Sequence, residues 1–205
     1  MRRLLSLFFL VPVLAGCGNT VTTSTLPASH AASPQQASLG WLESIGDRTG
    51  RIVFGVRSFE VTRTGWQARI SLTNDTEVPF AYGRNAVPGS FPFGVMLFST
   101  GRHSELERRN SNRSLPDIRA AETLTPALPT ELGAHKSWNG TISARGPLAA
   151  GTWARIVFGT LFPANVVAGD RQTGKSSPQL PEALRKAHAD GGLTWITDHA
   201  YELKR

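Results

Sequence analysis

Gly169-Asp170-Arg171-Gln172-Thr173-Gly174-Lys175-Ser176 satisfies, at every fixed position, the pattern G-x-x-x-x-G-K-[ST] of a glycine-rich loop that wraps phosphates. That chemistry depends on the surroundings of the loop. A buried parallel strand must precede it, and a helix must begin at the lysine, so that backbone N–H groups and the helix N-terminus aim at the anion. Here Pro178 and Pro181 follow. The second falls inside the required helix, where it removes a hydrogen bond and clashes with the preceding turn at a cost of about 3 kcal/mol. Thr194 and Thr197 spoil the apolar strand that would have to precede Asp198 if that carboxylate held a metal, and only 29 residues follow Ser176, too few for the rest of a doubly wound sheet. The stretch therefore reads as a polar surface loop, and no nucleotide is expected.

The other residues able to do chemistry are scattered. His30, His103, His135, His188 and His199 stand apart, with no H-E-x-x-H and no second histidine at ligand spacing, so no metal is expected. No G-x-S-x-G elbow presents a serine, and Glu105 with Glu107, on a charged stretch, does not make a hydrolytic carboxylate pair. No catalytic residue and no cofactor are assigned. Residues 101–119 carry Arg102, Arg108, Arg109, Arg113 and Arg119 against Glu105, Glu107 and Asp117. Arginine grips phosphate and carboxylate with a planar fork, which makes Arg102, Arg108, Arg109 and Arg113, with Lys175, the candidate contacts for an anion or a partner. The interleaved acids favour a solvated loop with internal ion pairs.

The lone cysteine has a more specific setting. Met1-Arg2-Arg3 precedes an apolar run from Leu4 to Leu14, the form of a signal peptide and too short for a spanning helix of about 20 residues. Leu14-Ala15-Gly16-Cys17 then resembles the lipobox of bacterial lipoproteins, in which a signal peptidase cuts before a cysteine already joined to a diacylglycerol. That resemblance implies a signal peptide over 1–16 and a chain exported and held through Cys17. It would sit on the outer face of the cell membrane, or in the outer membrane of a cell that has one, a transfer that Gly18 after the cysteine permits. Acyl chains such as palmitate anchor stably when two are buried and only marginally when one is. Residues 18–38 are mostly Thr, Ser, Ala, Pro and Gln, with no Asp, Glu, Lys or Arg. They cannot form a core, and as a coil they span about 25 Å. The expected organisation is thus signal 1–16, lipidated Cys17 and tether 17–38, and one domain over 39–205. The formal charge of +7 falls to +5 when Arg2 and Arg3 leave with the signal, too diffuse for a nucleic-acid stripe.

The elements that must position any site have period two. Trp66, Ala68, Ile70 and Leu72 alternate with Gln67, Arg69, Ser71 and Thr73, which puts one set on a core face. Ile52, Phe54 and Val56 share one parity and Phe59 and Val61 the other, so a bulge is expected near Arg57 and Ser58, followed by a hairpin at Arg63-Thr64-Gly65. Further strands are read at 78–82, 93–98, 138–143, 153–158 and 193–203. One short helix is read over 181–189. Gly146-Pro147 leading to Gly151-Thr152-Trp153, and Asn74 closing an alternating strand, resemble features of bacterial immunoglobulin-like domains. The expected fold is all-β, an immunoglobulin-like antiparallel β-sandwich of about seven strands with long loops at 101–119 and 163–192. The expected function is that of a non-catalytic, lipid-anchored cell-envelope protein that binds another protein or a wall component. Two other readings stand beside it: an envelope enzyme or ligand-binding protein whose site is on the two long loops, and an extracellular protease inhibitor.

Overall fold

The computed structural model describes residues 30–83, 93–164 and 180–205. The strands are β1 (Gln35–Asp47), β2 (Gly50–Val61), β3 (Gly65–Asp75), β4 (Phe80–Tyr82), β5 (Gly94–Phe98), β6 (Arg119–Ala120), β7 (Thr123–Thr125), β8 (Glu131–Leu132), β9 (Lys136–Arg145), β10 (Trp153–Pro163), β11 (Leu193–Ile196) and β12 (Tyr201–Glu202). The helices are α1 (His103–Ser111) and α2 (Glu182–Ala189).

Alternation in β3 sets the architecture. Its even-numbered residues from Trp66 to Asn74 are buried, while Gln67 and Arg69 are exposed. One face of the sheet therefore looks inward. β9 pairs with β3 from Gly65↔Arg145 to Asn74↔Lys136 and adds Trp138 and Ile142 to that face. On the other side β2 contributes Ile52, Phe54 and Val56, then Phe59 and Val61. The change of parity is made by a bulge between Val56 and Ser58, where the spacing of apolar residues requires it. With β1 and β7 at its edges, this sheet has the order β1-β2-β3-β9-β7.

The second sheet has seven strands centred on β10. Along one side β10 pairs with β5 and then β4, and along the other with β12 and then β11, all antiparallel. Ala154, Ile156, Phe158 and Leu161 turn toward the first sheet and fill the layer between the two. Phe54 meets Phe158 edge-on at 5.1 Å and stacks on Trp195 at 4.9 Å. Such aromatic pairs add about 0.5–1.5 kcal/mol each beyond the area they bury. Asn74, fully buried, ties the sheets at one end: its Nδ2 donates to Val78 O and Leu132 O, and its Oδ1 accepts from Thr76 N. The molecule is an all-β antiparallel sandwich.

Four details differ from the expectation. β1 begins at Gln35, so residues 35–38, read as the end of the tether, are paired with β2 from Gln35↔Val61 to Ser38↔Ser58. A backbone ladder needs no apolar side chains, and composition does not mark it. The 101–119 stretch, read as a loop, contains α1. Leu106 is its only buried apolar residue, so no 3.6-residue periodicity announces the helix. The strand read over 193–203 is divided into β11 and β12, because Thr197 Oγ1 accepts from Ile156 N (3.0 Å) and donates to His199 O (2.9 Å) in place of a backbone rung. Twelve strands are present among the described residues rather than about seven: the surplus is the 13-residue β1, where no strand was expected, together with β6, β7, β8 and β12, pieces of two or three residues too short to show a period.

Candidate functional site

β10 has a second face, turned away from the inter-sheet core. Trp153, Arg155 and Val157 lie there beside Met96 and Phe98 of β5. α1 crosses this face, and Leu106 joins Met96, Phe98 and Val157 in a smaller core of its own. Arg155, 0% exposed, is the polar centre of that layer. Its Nη1 donates to Thr197 O (2.7 Å) and to Asp198 O, and its Nη2 donates to Gly101 O (3.1 Å) and Arg102 O (3.0 Å). The guanidinium also lies 5.2 Å from the centre of the Phe98 ring. Burial lowers the pKa of Arg155, while Asp198, Glu43 and Glu105 favour its charge. Arginine stays charged even so. One cation thus fastens the turn before α1 to the turn after β11.

Two buried carboxylates extend this frame. Glu105 of α1 accepts from Ser99 Oγ (2.6 Å), from Thr100 N (2.7 Å) and Oγ1 (2.9 Å), and from Arg109 Nε (3.0 Å). Burial alone would raise its pKa; these donors outweigh burial and bring it down to about 2. Glu43 of β1, with its side chain 6% exposed, accepts from Trp195 Nε1 (2.7 Å), Asp198 N (2.9 Å), His199 N (3.1 Å) and His199 Nδ1 (2.7 Å). Burial again opposes its charge, and the bond from His199 leads the donors that hold its pKa below the usual carboxylate range.

On this frame sits an exposed rim. His199 stacks on Trp41 with ring centres 5.4 Å apart. His103 Nδ1 lies 3.2 Å from Asp198 Oδ1 and its Nε2 lies 3.2 Å from Glu107 Oε1. A carboxylate that holds one nitrogen of an imidazole leaves the other directed outward, the arrangement of a general base. The hydroxyl beside it, Thr197 Oγ1, already makes two hydrogen bonds to the backbone. The rim is therefore an imidazole fixed in orientation against an indole, with no activated hydroxyl at hand. Among the described residues no group of three or more His, Cys, Asp or Glu side chains is gathered as metal ligands would be.

The sequence-predicted contacts separate. Arg109 is occupied by Glu105 and by Ser114 O (3.2 Å), 6.0 Å from the Phe98 ring. Arg102 engages Arg155 through its carbonyl and leaves its side chain exposed. Arg108 is exposed on α1, and Arg113 is exposed at a φ of 51° just beyond it. Lys175, the 169–176 pattern and Cys17 lie outside the described residues, as does most of the 163–192 loop. The 101–119 segment meets the 197–199 turn. Sequence reasoning missed Arg155, Glu43 and Glu105. Arg155 carried a signal, a single charge inside an otherwise apolar strand.

No family model, no curated protein and no solved structure matches the chain. Among the described residues no helix is long and apolar enough to cross a membrane.

Proposed function

We propose that the protein is a lipid-anchored envelope protein, held through Cys17 and the segment that follows it, and that it binds another protein or a wall component without transforming it. The observation that carries the binding is the rim of Trp41, His199, His103, Asp198 and Glu107. Its backbone is fixed from beneath by Arg155 and Glu43, so that ordering it on contact costs little. A half-buried tryptophan amid polar neighbours is the composition of an interface hot spot. Leu14-Ala15-Gly16-Cys17, with arginines before it and an uncharged segment after it, supports the anchoring.

Cross-linking in intact cells followed by affinity purification tests both parts. The wild type is expected in the membrane fraction with a partner, Cys17→Ser in the soluble fraction, and Trp41→Ala with His199→Ala in the membrane without the partner. Recovery of the same partner by the double variant would place binding elsewhere.

The imidazole held by Glu43 favours one second reading, an envelope enzyme with His199 as base. It predicts a turnover in the wild type that His199→Gln abolishes, where the binding reading predicts none.

A further inference from the structure

The outer face of the five-stranded sheet is unlike the helix-covered face of β10. Its middle rows run Leu42–Gly55–Ser71–Asn139 and Ser58–Arg69–Thr141 across β1, β2, β3 and β9. The bulge between Val56 and Ser58 sends Arg57 and Ser58 to this same face, opposite Arg69. Arg57 Nη2 makes a long hydrogen bond, 3.5 Å, to Asn139 Oδ1 two strands away. Among the described residues neither Arg57 nor Arg69 has an ion-pair partner. The nearest acids of the face stand in the outer rows, where Glu60 accepts from Gln67 (2.5 Å) and Asp75 faces Arg51 (3.6 Å). Beside the arginines stands Leu42, 71% exposed, the one large apolar side chain left in water among the described residues. It lies against Gly55, where an added Cβ would collide with Ser71 Oγ. The face is flat there because no side chain rises from β2.

We infer that this face docks on the anionic phospholipid surface of the membrane to which the chain is anchored, Arg57 and Arg69 gripping headgroup phosphates and Leu42 entering the acyl boundary. The inference rests on the proposed anchoring. Two unpaired guanidinium forks match phosphate, and an apolar side chain beside them is what a polymer in water has no use for. Each arginine near an anionic bilayer favours the bound state about fivefold, which is weak for a protein in solution. A short flexible tether holds its domain at an effective concentration in the millimolar range, so a millimolar contact is enough. β1, which carries Leu42, is the strand the tether joins.

The test uses the chain from residue 17 onward with Cys17→Ser, so that only the face can bind. Flotation is measured at about 10 mM lipid, above the millimolar contact that anchoring makes sufficient, with vesicles of phosphatidylcholine containing about one third phosphatidylglycerol, and with phosphatidylcholine alone. Co-flotation with the anionic vesicles, reduced about 30-fold in Arg57→Ser with Arg69→Ser, reduced further by Leu42→Ser, and screened by salt, is the expected result. Both arginines are exposed, so an unchanged thermal midpoint identifies the double variant as folded. Equal flotation with neutral vesicles, no flotation, or flotation untouched by the double variant overturns docking by this face. The mass of the native protein from membranes is read separately. A chain lipidated at Cys17 whose face ignores vesicles defeats this inference alone, and a chain without lipid defeats the anchoring.

Discussion

The two outer faces of the sandwich use the same side chain in opposite ways. Over β5 and β10, Arg155 and Arg109 spend their donors on carbonyls and on Glu105, beneath or beside α1. Over β2 and β3, Arg57 and Arg69 stand exposed with hydroxyls around them, and among the described residues neither has an ion-pair partner. The difference lies in the neighbours. Met96, Phe98 and Val157 surround Arg155 with apolar area that had to be covered, and covering it took the charge out of water. Gly55, Ser71 and Thr141 offer nothing to cover, so the charges beside them remain available. A buried arginine here is a fastening, and an exposed one is a handle.

The largest expected effect comes from cutting the fastening. Arg155→Met leaves four carbonyls without their donor beneath α1, and we expect a loss of about 3–5 kcal/mol, the range for removing one member of a buried charge network. Denaturant midpoints measure it; a loss below about 1 kcal/mol would mean that water replaces the guanidinium. Glu105→Gln follows, at about 2–3 kcal/mol, since the hydroxyl and N–H donors of Ser99 and Thr100 lose a charged acceptor. Glu105 also dictates a pH dependence. Its folded pKa, about 2, lies below its unfolded one, so its stabilisation is whole above pH about 4.5 and is lost as pH falls toward 2. The acid limb of a stability–pH curve should therefore be shallower in Glu105→Gln. Glu43→Gln weakens the same side of the molecule by about 1–2 kcal/mol and loosens residues 197–200, visible as faster amide exchange there. The smallest effect belongs to the handle. Arg57→Ser with Arg69→Ser should leave stability within about 0.5 kcal/mol, and a larger loss would show that these arginines fasten something after all.

What could be read from the chain was whatever repeats with a period. The alternation from Trp66 to Leu72 and the parity break at Arg57 and Ser58 lie where apolar spacing puts them, and the helix after Pro181 lies between its start signals and Gly191, which stops it. The refusal of the 169–176 pattern rested on the prolines after it, and that stretch falls outside the described residues. Polar networks have no period. Glu43 sits in a strand whose inward positions include Gln35 and Ala37, so nothing local separates it from a surface acid. Arg109 was one of several arginines until Glu105, four residues before it, proved to be buried. Long-range partners such as Glu43 and His199 are 156 residues apart, and only the closed sandwich makes them neighbours.

One consequence of β1 is mechanical. Eleven register pairs join it to β2 over its whole length, Glu43 fastens its middle to the last turn of the chain, and Ser33 N donates to Lys204 O just before it begins. A pull on the preceding segment, directed along the strand, strains these rungs together in shear, where a pull across the strand would open them one after another. The element nearest the proposed anchor is thus arranged to withstand tension along its own axis, with the C-terminal residues acting as its clamp.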